Sequence, residues 1–183
     1  MNPIKNLLTI IISPKKGWDK ISREDISAEK LSSSLLYPIL GVFAAIVFLL
    51  EIKFTGQRSE SGIEKAIQYA SIAFIQFFST YFLISFIVKK LFKKYDIQKC
   101  NIYLLYIIST TTIFYTIMTI FSSYINYIAP LSLFIIYYAW TGYKYIDIGA
   151  DKTDAVFVVT TSTMVLMFPI IISLILRTLL TLI

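Results

Sequence analysis

The chain has 183 residues, 57% of them hydrophobic and 15% charged, with a mean hydropathy of +0.73. A soluble domain carries about 25% charged residues, so this composition excludes an ordinary water-soluble globule, and the polar stretches are too short for a long solvated domain. The net charge of +6 comes from cations in short segments between apolar runs, a pattern that suits a membrane surface and excludes a nucleic-acid-binding domain.

The first apolar run, Leu7 to Ile12, is too short for a cleavable signal, and Ser13-Pro14-Lys15-Lys16 is not a small-residue cleavage site. Ile4, Leu7, Leu8 and Ile11 recur at i, i+3, i+4 and i+7, with Lys5, Asn6 and Thr9 facing away. The pattern predicts a short helix lying in the membrane interface. Ser13 is expected to cap a second short helix with Pro14 at its first position. Trp18 and Ile21 give that helix one apolar side, with Trp18 as a candidate interfacial anchor.

Five spans follow. The first runs from about Leu35 to Leu50, with Ser32, Ser33 and Ser34 as caps and Pro38 at its start, where a missing N–H costs little. The second starts with the capping box Ser61-Gly62-Ile63-Glu64 and continues to about Val88. It runs into Lys89, Lys90, Lys93 and Lys94, which share one face at a helical pitch and are candidate contacts for anionic headgroups. The third span covers about Ile102 to Phe121. Only Ser122 to Asn126 separate it from the fourth, about Tyr127 to Gly142, so the two form a tight hairpin. Tyr124 and Tyr127 at one end, and Trp140, Tyr143 and Tyr145 at the other, read as aromatic belts. The fifth span, Ala155 to about Leu176, follows Asp151 and Asp154, which suit a helix N-terminus. Pro169 inside it predicts a kink.

Charge sets the orientation. Residues 1–34, the loop after the second span and the loop after the fourth lie on one side of a five-span chain. They carry 13 Lys and Arg against 4 on the other side. The larger count marks the cytosolic side, so the N-terminus is cytosolic and the C-terminus lies outside. Cys100 is then a cytosolic, reduced thiol.

Chemistry is scarce. There is no histidine and one cysteine, which removes the commonest general base, the commonest metal ligand and any internal disulfide. The spans hold no charged side chain away from their ends, there is no HExxH-like motif or phosphate-cradling loop, and no cofactor is implied. A non-enzymatic protein is expected. What polarity remains is uncharged. Ser109, Thr112, Thr116 and Thr119 fall within about 80° of the third span, and Gln68 and Gln76 lie on the second. They form a candidate polar seam that either lines a path for a small solute or lipid, or serves as helix-packing glue.

Three segments carry a resemblance. Ile12-Ser13-Pro14-Lys15-Lys16-Gly17-Trp18-Asp19-Lys20-Ile21 is similar to the Pro-x-x-x-Trp segment before the first span of bacterial members of the Yip family, the Ypt/Rab-GTPase-interacting integral membrane proteins. Leu36-Tyr37-Pro38-Ile39-Leu40-Gly41 resembles their proline near the start of that span, and Gly142 to Val158 resembles the turn into their last span. The Asp-Leu-Tyr-Gly-Pro-like motif of eukaryotic members is missing, since Ser34-Leu35-Leu36-Tyr37-Pro38 lacks the acid and the glycine. Small-GTPase binding is therefore implied by the resemblance alone.

The expectation is an all-α polytopic protein. Residues 1–34 form a cytosolic interfacial segment with one or two amphipathic helices, and residues 35–183 a five-helix membrane bundle, in a bacterial inner membrane. It would organise or scaffold membranes or partner proteins from its cytosolic face. The alternatives are a channel or transporter using the seam, or a small subunit of a larger complex. The expected partners are the bilayer with its anionic lipids, other membrane proteins or a second copy of the chain, and no nucleic acid.

Overall fold

The computed structural model describes residues 2–55, 60–121, 128–146, 148 and 155–181, and within them all regular structure is helical. Two short helices come first, α1 (Pro3–Ile12) and α2 (Pro14–Ser22). Asn2 caps α1 by accepting from the amides of Ile4 and Lys5, at 3.1 and 3.3 Å. Ser13 precedes α2, but its side chain makes no cap hydrogen bond, and Pro14 supplies the start.

Helix α3 (Ala28–Leu31), a π-helical turn (Ser32–Leu36) and α4 (Tyr37–Thr55) form one continuous helix. The expected start near Leu35 therefore moves back one full turn and more, to a cap by Ser27, whose hydroxyl accepts from the Lys30 amide. Ser32, Ser33 and Ser34 do not cap. Their hydroxyls donate to the carbonyls of Glu29, Lys30 and Lys30 at 2.8, 3.0 and 2.6 Å. Pro38 consequently sits inside a helix, where its ring presses on the carbonyl four residues back. The wider turn lies immediately before it, with the Tyr37 amide reaching Ser32 rather than Ser33.

Helices α5 (Glu60–Leu91), α6 (Ile97–Phe121), α7 (Ile128–Tyr145) and α8 (Ala155–Thr181) complete the fold. Asp96 caps α6 by accepting from the Gln98 and Lys99 amides at 2.9 and 3.2 Å. Helix α8 continues through Pro169. The Ser61 side chain, the turn at 122–126, Tyr124 and Tyr127, and the caps Asp151 and Asp154 lie outside what is described.

Among the described residues, four helices are long and apolar enough to cross a membrane: Ala28–Lys53, Gly62–Leu91, Ile97–Phe121 and Ala155–Leu180. The chain is thus a multi-pass membrane protein by helix length and composition. The expectation of five spans is corrected at α7. Among the described residues, its 18-residue helix is not one of these four. Its last nine residues, Tyr137 to Tyr145, are dominated by Tyr, Trp, Thr, Gly and Lys.

Helix α6 is the centre. It touches α1, α3, the π-turn, α4, α5, α7 and α8. Every residue from Tyr103 to Thr112 is buried. Phe43 of α4 meets Phe77 of α5 edge-on at 5.7 Å, and Phe77 meets Tyr115 of α6 at 5.2 Å, which ties three helices through one ring. Helix α7 runs antiparallel to α6, with Tyr138 against Phe114 at 5.9 Å and Tyr145 and Ile146 beside Ile102.

Helices α1 and α2 fold back on each other, and Gly17 is the closest point. A Cβ built on Gly17 would lie 2.6 Å from the Ile10 nitrogen and 2.7 Å from its Cα. Those are backbone atoms, so relief requires the helices to separate. Gly17→Ala should cost about 1–3 kcal/mol by overpacking, read as a lowered unfolding midpoint in detergent. Gly41→Ala has nothing within 4 Å of its new methyl. It should hold or raise the midpoint, since alanine favours a helix over glycine by up to about 1 kcal/mol.

Candidate functional site

The residues singled out in the sequence divide between two places. One is the end of the bundle where the α1–α2 hairpin, the α5–α6 connection, the end of α7 and the start of α8 converge. The other is the interior of α5 and α6.

At the converging end, Trp18 is not presented to lipid. Its ring is fully buried, stacked on Tyr103 at 5.8 Å and edge-on to Tyr106 at 5.9 Å. On its far side lies Gly142, where a Cβ would fall 2.6 Å from the indole. The expected interfacial anchor is therefore a wedge between α6 and α7. Its apolar helix face pointed to burial, but not to what buries it. Leu7, Ile10 and Ile21 are buried with it. Two polar contacts hold the hairpin further: Asn6 Nδ2 donates to Glu24 Oε2 at 2.6 Å, and the Tyr138 hydroxyl donates to the Ile11 carbonyl at 2.8 Å.

An aromatic cluster extends from this wedge. Phe157 of α8 stacks on Tyr95 at 5.0 Å and contacts Phe92 at 5.1 Å, Tyr103 at 5.7 Å and Tyr143 at 5.7 Å. Tyr143 is thus part of the packing and not of an aromatic belt. Trp140 keeps an exposed face, with the Lys144 ammonium 5.2 Å over its ring.

Lys89, Lys90, Lys93 and Lys94 lie beside this cluster, and all four are exposed. Helix α5 ends at Leu91, so Lys93 and Lys94 belong to the turn that follows. The four do not share a helical face, and the α5–α6 connection presents them instead. Phe92 fastens that connection to Phe157. Nearby is an open cleft of about 370 Å³, lined by Glu24, Asp25, Asp96 and Lys99 among apolar residues such as Ile21 and Ile102.

In the interior, Ser109 and Thr112 are fully buried, Gln76 is buried, and Gln68, Thr116 and Thr119 are half-buried. The threonine hydroxyls donate along their own helix: Thr112 to Ile108 at 2.9 Å, Thr116 to Thr112 at 2.8 Å and Thr119 to Tyr115 at 2.8 Å. Thr110, Thr111, Thr80 and Thr161 do the same. None of the residues lining the cleft belongs to the seam. Among the described residues, no group of three or more His, Cys, Asp or Glu side chains is placed to hold a metal ion.

In comparisons with known proteins, no family model, no curated protein and no solved structure matches the chain.

The wedge gives a direct expectation. Trp18→Ala empties a socket formed by two helices and should cost about 3–5 kcal/mol, with the hairpin freed from the bundle. Limited proteolysis in detergent checks this, as faster cleavage after Lys15, Lys16 and Lys20. Tyr138→Phe removes one hydrogen bond and should cost only about 1 kcal/mol.

Proposed function

We propose that the chain is a non-enzymatic, multi-pass membrane protein of Yip-like type. It organises or scaffolds membranes or partner proteins from a cytosolic face built by the N-terminal hairpin and the Lys89–Lys94 connection. The observation that carries this is convergence. The hairpin, through Trp18 and Tyr103, and the lysine connection, through Phe92, reach the same ring, Phe157. That joins two segments far apart in sequence into one surface.

The orientation belongs to the same proposal. Helix α7 brings the chain back to the end where α2 sits, so α8 starts beside the lysine connection. The cations of the N-terminal segment, the α5–α6 connection and Lys144 therefore gather at one end. By the rule that Lys and Arg mark the cytosolic side, that end is cytosolic. The membrane would be a bacterial inner membrane, as the resemblance implies. Small-GTPase binding has no support among the residues, because the acid and glycine of the eukaryotic motif are missing.

The transport reading has less behind it. The seam's threonine hydroxyls already donate to their own helix, which is how such residues let helices pack closely. Thr116→Val should shift the unfolding midpoint by less than about 1 kcal/mol and leave solute flux in proteoliposomes unchanged. A clear fall in flux would favour the path instead.

Each lysine near an anionic leaflet contributes about 1 kcal/mol. Replacing Lys89, Lys90, Lys93 and Lys94 together by glutamine should lower the anionic lipid that copurifies in mild detergent severalfold, with the fold intact by circular dichroism. Unchanged anionic lipid and unchanged membrane orientation would count against the lysine connection as a lipid-organising surface.

A further inference from the structure

The N-terminal hairpin has two faces, and the bundle covers only one. On α1, Asn6, Leu7 and Ile10 are buried, whereas Ile4, Leu8 and Ile12 are 48%, 50% and 83% exposed. The three exposed residues recur at i, i+4 and i+8 and so form a single stripe along the helix. Lys5 lies beside its start, and Lys15 and Lys16 follow its end in the first turn of α2. None of these three lysines has an ion-pair partner among the described residues.

The stripe does not stand alone. The Tyr138 hydroxyl donates to the Ile11 carbonyl, which sets the end of the stripe against α7. On α7, Phe134, Tyr137 and Trp140 are exposed, and Lys144 sits over the Trp140 ring. Large aromatic rings with a cation above them mark the level where acyl chains give way to headgroups. The exposed apolar surface of α1 thus continues the outer surface of the bundle at that level.

We propose that α1 is a two-faced interfacial helix. Leu7 and Ile10 fasten it to the bundle, while Ile4, Leu8 and Ile12 enter the acyl boundary of a leaflet. Anionic headgroups of that leaflet pair with Lys5, Lys15 and Lys16. Lipid is the occupant because the stripe is purely apolar, its flanks are cationic, and it continues a surface already shaped for a bilayer. The acid on the neighbouring helix, Asp19, is paired with Arg23 at 2.8 Å, and Glu24 accepts from Asn6 at 2.6 Å, so neither is paired with these lysines. The inference needs a bilayer around the bundle, but it is independent of what the Lys89–Lys94 connection binds.

The test uses the full chain with single substitutions Ile4→Cys, Leu8→Cys, Ile12→Cys and Lys16→Cys, each spin-labelled. Cys100 is buried and should stay unlabelled, so a second label per chain identifies a variant that has lost its packing; three stripe positions keep the test decisive. The labelled chains are reconstituted into vesicles of phosphatidylglycerol and phosphatidylcholine. Labels at positions 4, 8 and 12 should collide more with oxygen than with a neutral water-soluble nickel chelate, and the label at position 16 should show the reverse. Greater nickel than oxygen contact at two of the three stripe positions overturns the acyl contact. Dipolar broadening between two chains labelled at position 12, in place of oxygen contact, assigns the stripe to a second copy and also overturns it. In phosphatidylcholine alone, nickel contact at position 12 should rise severalfold, and the combined Lys5→Gln, Lys15→Gln and Lys16→Gln chain should abolish the difference between the two vesicles. Equal nickel contact in both vesicles for the chain with its lysines intact overturns the headgroup pairing.

Discussion

The structure depends on one helix whose middle is covered on every side. From Tyr103 to Thr112, α6 is buried on every side, so ten consecutive residues must each find a protein neighbour. A helix covered all round has no lipid-facing stripe to orient it, and in a bilayer there is no hydrophobic push to bring helices together. Its position therefore comes from shape and from close approach. The run of Ser109, Thr110, Thr111 and Thr112 serves both needs. The side chains are small, and each threonine hydroxyl is satisfied by its own helix at 2.8–2.9 Å. A neighbour can pack on these threonines without supplying a hydrogen bond, whereas the buried Ser109 hydroxyl has no partner among the described residues.

Covering α6 explains the unusual parts of the fold. The long helices α4, α5 and α8 wall off part of it. Helix α7 covers another part, and Trp18 packs between α6 and its Gly142. The N-terminal hairpin is thus structural before it is anything else. The same packing places the charges. Because α7 turns back toward α2, and because Phe157 binds the α5–α6 connection to the hairpin, the cations of three separate segments come to one end. A chain with few charged residues concentrates them where a headgroup layer would lie, and the interior is left with uncharged polarity alone.

Much of this was legible in the sequence, and the failures share a cause. Apolar runs located the long helices, because length and hydropathy are local properties, although the first of them starts at Ala28, seven residues before the expected Leu35. The two short helices were legible from their i, i+3, i+4 spacing and from Pro14. The capping Asp96 was missed although the signal was present, an acid immediately before an apolar run. The spacing of Trp18 suggests an anchor because periodicity reports that a helix has an apolar face and not what covers it. Tyr143 suggests a belt residue for the same reason. The serines at 32–34 read as caps since serine favours caps, yet hydroxyls that back-bond to carbonyls occupy helix interiors equally well, and only the path of the chain decides. The face-sharing of the four lysines failed because the helix stops at Leu91, between them. As for α7, its hydropathy suggested a span while its second half, rich in Tyr and Trp, fits packing against another part of the same chain.

Specificity at the hairpin rests on side chains that are absent. The Trp18 indole nitrogen is buried without a hydrogen-bond partner among the described residues, so no polar pairing selects the seat. Instead Gly17 lets α2 close on the backbone of α1, and Gly142 leaves room for the ring against α7. The chain has six glycines, and two of them act here, Gly17 against the Ile10 backbone and Gly142 against the indole. Any Cβ at either position would fall within 2.6 Å of a heavy atom, where the ring or the hairpin has to move. An indole inserted between two such surfaces gains contact over both faces and loses it sharply when displaced, because dispersion falls off within about an ångström. The hairpin is therefore held in one register by shape, and the orientation of α1 follows from it: whichever face of α1 is not pressed against Gly17 and α6 is the face carrying Ile4, Leu8 and Ile12.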